Sequence, residues 1–131
     1  MNVTVDTNVL VRAAVRDDPK QAAVAAKLLR SAKMIAVAVP SLCEFVWVLR
    51  RVYGLAPAAA AAAIRALLAT ANVEMNRPAV EASVAVLDAG GDFADGVIAY
   101  EGRWLGAETF VSFDKKAVDI LTAQGERARL L

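Results

Sequence analysis

The chain has 131 residues, a length typical of one domain with a single hydrophobic core. Hydrophobic residues make up 58% of it and charged residues 22%, a balance that excludes a disordered chain. The 15 basic and 14 acidic side chains nearly cancel, so the chain has no general basic field to attract nucleic acid. It has no histidine and one cysteine, which excludes Ser-His-Asp triads, histidine bases, His-ligated or Cys-cluster metal sites and intramolecular disulfides.

Strand and helix patterns alternate along the chain. β-branched residues predict a strand at 2–5, and a continuous apolar run predicts a strand covered on both faces at 34–39. Further strands are predicted at 72–75, 109–113 and 127–131. Proline near helix starts, glycine after helix ends and abundant alanine predict helices at about 8–15, 19–32, 41–52, 57–70, 77–89, 92–105 and 115–123. The alternation predicts one domain over residues 1–131, a three-layer α/β/α sandwich with a mainly parallel central sheet.

We expect a soluble, cytoplasmic protein without a membrane segment. Charged residues from Asp6 onward interrupt the first twenty positions too early for a signal peptide. The alanine-rich stretch 56–71 contains Arg65 and is poor in large apolar side chains, unlike a spanning helix. Cys43 is expected to be a small buried thiol, reduced as in the cytosol.

Four acidic residues are expected at one edge of the predicted sheet. In open parallel sheets, ligands gather at the carboxyl ends of the strands. Asp6 ends the first predicted strand, Glu44 follows the second, and Asp114 ends the strand at 109–113. Asp95 lies in the first turn of a helix whose preceding loop reaches the same edge.

Each of these acids also has a purely structural interpretation. Asp6 and Asp114 suit helix N-caps, and Ser41-x-x-Glu44 has the spacing of a capping box. Asp92-x-x-Asp95 suits an acidic first turn favoured by the helix dipole. Capping does not explain why four acids from distant segments are expected at one edge.

A divalent cation would relieve the repulsion within such a cluster. Carboxylate oxygens without histidine or cysteine suit the hard ions Mg²⁺ and Mn²⁺. Magnesium commonly meets phosphate oxygens and can orient a water molecule for in-line attack, so the cluster indicates phosphodiester hydrolysis.

Four segments of the sequence resemble the signature of the PIN domain, in particular of VapC-type ribonuclease toxins. They are VDTNVL at 5–10, SLCE at 41–44, DFADGVIA at 92–99 and SFD at 112–114. No single segment is specific, but their order and spacing cover essentially the whole chain. Gly96 departs from the pattern, since relatives usually carry alanine there; we expect it only to loosen one helix turn.

The resemblance implies that Asp6, Glu44, Asp95 and Asp114 form a catalytic tetrad that binds Mg²⁺ or Mn²⁺. Asp6 and Asp95 are the expected direct ligands, and Glu44 and Asp114 are expected to act through water or a second metal. Four further side chains are expected to orient these carboxylates by hydrogen bonds or to cap the adjacent helix: Thr7, Asn8, Asp92 and Ser112.

The resemblance also implies a function and partners. The expected activity is that of an endoribonuclease toxin leaving 5′-phosphate and 3′-hydroxyl ends, and the expected partners are RNA, a cognate antitoxin and a second copy of the chain. Cations near the edge would hold RNA unless they are ordinary surface charges: Arg12, Arg16, Lys115 and Lys116. Phe45, Trp47 and Tyr53 are candidates for an interface or the core, and Trp104 for the core.

Other classes fit the sequence less well. A haloacid-dehalogenase-like phosphatase requires a second aspartate where the chain has Asn8, and a receiver domain requires paired acids after the first strand and a phosphoacceptor aspartate on a middle strand. The remaining alternative is a catalytically silent PIN-like module that only binds RNA or antitoxin. Intact carboxylates argue against it, because a pure binder gains nothing from negative charge where phosphate must sit.

Overall fold

A computed structural model describes all residues, Met1–Leu131, as seven helices and five short strands. In chain order these are β1 (Asn2–Thr4), α1 (Thr7–Val15), α2 (Pro19–Ser31), β2 (Met34–Ala36), α3 (Val39–Arg51), α4 (Pro57–Leu68), β3 (Val73–Glu74), α5 (Arg77–Asp88), α6 (Phe93–Trp104), β4 (Phe110–Ser112), α7 (Lys115–Ala123) and β5 (Ala128–Leu130). Internal contacts divide the chain into two compact units, Met1–Asn76 and Arg77–Leu131.

The first unit is built on a three-stranded parallel sheet in the order β1-β2-β3. Val3 pairs with Ile35, and Ile35 pairs with Val73, so Ile35 lies at the centre of the sheet, where it is fully buried. Helices α1 to α4 belong to this unit, and α1 packs against both α2 and α3. In α4 the side chains of Ala60 and Ala61 are fully buried, because alanine lets a helix approach its neighbours closely.

The second unit contains α5, α6, α7 and a parallel pair of strands, β4 and β5. Val86 of α5, Ala99 of α6 and Leu121 of α7 form a buried cluster in it. Helices α5 and α6 make the most extensive contact between any two elements of the chain. This close packing depends on a glycine, because a Cβ atom on Gly96 would lie 2.7 Å from Cα of Ser83.

The predicted α/β class and parallel strand pairing are confirmed, and they agree with the PIN-like α/β/α fold that the resemblance implies. The predicted helices are all present, with ends shifted by one or two residues. The strand predicted at 34–39 is shorter than expected: it ends at Ala36, Val37 and Ala38 belong to neither element, and Val39 is the first residue of α3.

Three expectations about single residues are wrong. Cys43 is half-buried rather than buried. Trp104 is not a core residue, since its side chain is 77% exposed at the end of α6. Gly96 does more than loosen a turn, since its missing side chain makes room for α5. Of the aromatic residues that were candidates for an interface or the core, Phe45 is a core residue buried in α3, whereas Trp47 is 59% exposed.

Candidate active site

The first unit contains two of the predicted acids, Asp6 and Glu44, which we call the first acidic corner. Thr7 lies between them: it follows Asp6 in the chain and contacts Glu44. Asp6 follows β1 in extended conformation and is the N-cap of α1, where its Oδ1 accepts a hydrogen bond from the backbone N of Val9 at 3.3 Å. Thr7 Oγ1 donates to Oε2 of Glu44 at 3.0 Å. This hydrogen bond ties the start of α1 to α3, so it fixes the direction of an otherwise exposed glutamate.

The capping-box interpretation of Glu44 is wrong. Helix α3 begins at Val39, its N-cap is Ala38, and no side chain caps it. Ser41 is therefore inside the helix, and its carbonyl oxygen lies 3.3 Å from Thr7 Oγ1. Because Glu44 is not needed to start α3, its carboxylate remains available for chemistry.

The second unit contains three aspartates that we call the second acidic corner: Asp92, Asp95 and Asp114. Ser112 also lies in this unit. Asp92 is the N-cap of α6 and accepts from the backbone N of Ala94 at 3.1 Å. Asp114 is the N-cap of α7 and accepts from the backbone N of Ala117 at 3.2 Å. Ser112 at the end of β4 fixes the backbone before α7, since its Oγ accepts from the backbone N of Asp114 at 2.9 Å.

Asp95 is the half-buried member of the second acidic corner. Burial raises the pKa of its carboxyl group, and the negative charges of Asp92 and Asp114 raise that pKa further. Burial and the two nearby negative charges thus disfavour the ionised form of Asp95. A positive charge placed among them would remove this repulsion.

The raised pKa of Asp95 predicts how stability depends on pH. The folded protein holds this proton to higher pH than the unfolded chain, so the contribution of Asp95 to the free energy of unfolding falls as pH rises through the carboxyl's titration range. Asp95→Asn cannot ionise and should lack this fall. In chelator, its Tm should exceed that of wild type by a few degrees at neutral pH and match it at about pH 3.

Glu81→Gln is the matched control, because it removes one negative charge from an exposed position on α5. It should leave the difference between neutral and acidic Tm close to that of wild type. Thermal melts followed by circular dichroism give the comparison. An Asp95→Asn variant that melts below wild type at neutral pH would contradict like-charge repulsion in the corner.

Capping and metal binding are compatible in Asp6 and Asp114. Each uses Oδ1 to accept from a backbone N–H group, so Oδ2 is left without a hydrogen bond. Within neither unit do three acidic or thiol side chains come close enough to form a metal cage. Magnesium does not require such a cage, since it usually keeps several waters and is held by one or two carboxylates. The donor chemistry of both corners therefore fits a hard divalent cation.

The other predicted site residues have separate roles. Asn8 makes no side-chain hydrogen bond to a carboxylate and instead lines a groove between α1 and α2. Lys115 pairs with Asp119 at 2.7 Å, and Arg12 pairs with Asp17 at 2.8 Å. Both cations are therefore already paired with an acid outside the two acidic corners.

Asp17 has a role that the sequence does not indicate. Its Oδ2 accepts a hydrogen bond from Tyr53 Oη at 2.7 Å, while its Oδ1 pairs with Arg12. The Tyr53 hydrogen bond, with Arg12 as a second donor, lowers the pKa of the Asp17 carboxyl group. Tyr53 lies 36 positions away along the chain, so no local spacing signalled the contact.

No helix of the structure is both long and apolar enough to cross a bilayer. Among curated proteins, none matches the chain. The family model described as "PIN domain" matches residues 3–120, which include both acidic corners. PIN domains are generally nucleases that use divalent metal ions and bind nucleic acid. Since the match covers nearly the whole sequence, the chain belongs to the PIN domain family.

Proposed function

We propose that the protein is a metal-dependent endoribonuclease that hydrolyses RNA phosphodiester bonds with four carboxylates, Asp6, Glu44, Asp95 and Asp114. The observation that carries the proposal is the family match over residues 3–120, which contains all four acids. Asp6 and Asp114 are N-caps, but each keeps Oδ2 free of a hydrogen bond. Glu44 is not a cap at all. The fourth, Asp95, has a pKa raised by burial and by the negative charges of Asp92 and Asp114.

The proposed ion is Mg²⁺ or Mn²⁺, held chiefly by Asp6 and Asp95. When bound, it would acidify or orient a water molecule and neutralise charge on the reacting phosphate. Thr7 would hold the Glu44 carboxylate in one direction through its 3.0 Å hydrogen bond. Ser112 would do the same for the backbone that carries Asp114.

We further propose that this ribonuclease is the toxin of a toxin–antitoxin module of the VapC type. The support is the resemblance of four short segments to that subgroup, whose members act on cytoplasmic RNA, form homodimers and are neutralised by a cognate antitoxin. The family match extends across both compact units, which supports the prediction of one domain over residues 1–131.

The test is RNA cleavage by the purified protein under defined metal conditions. We expect cleavage with Mg²⁺ or Mn²⁺ and none with excess chelator, with 5′-phosphate and 3′-hydroxyl ends on the products. Metal alone should also raise Tm, because a ligand specific to the native state stabilises it by RT ln(1 + [L]/Kd), about 2.7 kcal/mol at a hundredfold excess over Kd.

Calcium is a useful control, since it prefers six to eight oxygen ligands and a larger site. It should raise Tm less than Mg²⁺ and support little cleavage. RNA binding without turnover under every metal condition would establish the catalytically silent module instead. Cleavage that persists in chelator would rule out the proposed metal dependence.

A further inference from the structure

Trp47 lies on the same face of α3 as Glu44, three residues further along the helix. Residues at this spacing are neighbours on a helix surface, with about 5–6 Å between their Cβ atoms. Long helical side chains lean toward the N-terminus and cover the turn that precedes their own Cα atom. The indole ring of Trp47 is therefore directed toward the turn that carries Glu44, a member of the first acidic corner.

The indole ring of Trp47 has no ring or cation as a partner within the chain. Trp47 is 59% exposed, although tryptophan is highly buried on average. The contrast is Tyr100, whose ring packs against Trp104 and lies under the guanidinium group of Arg103. An exposed indole without such a partner is available to a ligand, and its flat face suits another flat ring.

The exposed residues three or four positions from Trp47 on α3 are all charged: Glu44, Arg50 and Arg51. The core of a protein–protein interface is depleted of charged residues, so one tryptophan among three charges is a poor centre for such an interface. A nucleobase suits this position better, because it can stack on an aromatic ring while the rest of the nucleotide stays in polar surroundings.

We propose that Trp47 is a stacking platform for one nucleobase of the substrate beside the first acidic corner, an inference that rests on the proposed ribonuclease function. The base would lie flat on the indole ring and so hold the adjacent part of the strand near Glu44. Every nucleobase has a flat face, so this contact tolerates any sequence. Trp47 would thus position the strand for cleavage without selecting which sequence is cut.

The chain contains two tryptophans, so the fluorescence of each can be observed alone. Trp104→Phe leaves Trp47 as the only indole, and Trp47→Phe leaves Trp104, which is exposed in the second unit. Both changes are made in an Asp6→Asn background, so that RNA can bind without being cut. Single-stranded RNA should quench the fluorescence of Trp47 and leave that of Trp104 nearly unchanged. Polyphosphate of equal charge should quench neither, because it has no bases to stack.

Binding measurements test the same contact without relying on fluorescence. Trp47→Ala in the Asp6→Asn background should weaken RNA binding about tenfold, as expected for the loss of one base–aromatic stack. Trp47→Phe should keep most of the affinity, because it keeps an aromatic ring, and Trp104→Ala is the matched control that should leave Kd unchanged. The slope of log K against log salt should not change in Trp47→Ala, whereas loss of a phosphate contact would reduce it by about 0.7.

Turnover in the active protein gives a further measurement. Trp47→Ala should raise KM and leave kcat nearly unchanged, because stacking holds the ground state and the transition state equally. An unchanged Tm would show that the loss of affinity does not come from a damaged fold, as expected for a side chain that is mostly exposed.

Several results would overturn the proposal. Equal quenching of both tryptophans by RNA, or full RNA affinity in Trp47→Ala, would show that Trp47 holds no base. Dissociation of a dimer by Trp47→Ala with normal RNA affinity would assign the ring to an interface between two copies. If wild type cuts no RNA but RNA still quenches Trp47 alone, the ribonuclease function fails while the stacking platform stands. If wild type cuts RNA and Trp47→Ala cuts it equally well, only the platform fails.

Discussion

Asp6→Asn is expected to lower the rate of metal-dependent RNA cleavage by at least about a hundredfold. Groups that merely orient metal ligands contribute about 10–100-fold to activity or metal affinity, so loss of a direct ligand should exceed that range. The substitution replaces a carboxylate oxygen with an amide, which weakens the attraction for a hard cation. The rise of Tm caused by Mg²⁺ should also be reduced or lost, which provides a measurement independent of turnover.

The fold should survive this change, because asparagine is about as good an N-cap as aspartate. Asp18→Asn is the matched control, since Asp18 is the N-cap of α2 and accepts from the backbone N of Gln21 at 3.1 Å. If Asp6 acts only as a cap, the two variants should behave alike, with normal cleavage and normal Tm. If Asp6 binds the ion, only Asp6→Asn should lose cleavage.

The same comparison applies to Asp114, the N-cap of α7 in the second unit. Asp114→Asn should reduce cleavage, although less than Asp6→Asn if Asp114 acts through water. Full activity in both Asp6→Asn and Asp114→Asn would contradict the assignment of the tetrad and leave capping as the complete explanation of both residues.

The carboxylates illustrate what a sequence can indicate about a site. The sequence predicts Asp6 and Asp114 both as N-caps and as candidate ligands, and the structure confirms the caps. Local spacing predicts a cap because donor and acceptor lie within three or four residues of each other. The same kind of reasoning failed for Glu44, because α3 begins two residues before the residue expected to cap it.

The sequence patterns do not predict which residues from distant segments contact each other. Thr7 was expected to orient a carboxylate, but the pattern did not reveal that its partner would be Glu44, 37 positions away. The sequence favours an interface or core position for Tyr53, whereas its hydroxyl group donates a hydrogen bond to Asp17. Such contacts depend on how helices pack, and helix packing depends on the shapes of many side chains together.

Gly96 is the clearest case of a residue whose role depends on packing. Viewed as part of one helix, glycine at this position is unfavourable, since alanine there favours the helix by about 1 kcal/mol. Viewed against α5, it is required, because its added Cβ would lie 2.7 Å from Cα and 3.1 Å from Cβ of Ser83. Ser83 is itself fully buried and donates to the carbonyl oxygen of Ala79 at 2.7 Å, so it has little room to move.

Gly96→Ala is therefore expected to lower the free energy of unfolding by about 1–3 kcal/mol, the usual effect of overpacking a filled core. The neighbour is a backbone atom, so the two helices must separate to relieve the contact, and this outweighs the gain in helix propensity. Gly102→Ala in the same helix is the matched control, because nothing lies within 4 Å of its added Cβ. It should raise the free energy of unfolding by about 0.5–1 kcal/mol.

Urea denaturation at equal protein concentration measures both changes, and opposite signs for the two glycines are the expected result. A stabilised Gly96→Ala protein would mean that α5 and α6 are not held as closely as the fold requires, and that the alanine usual in the family is tolerated here as well.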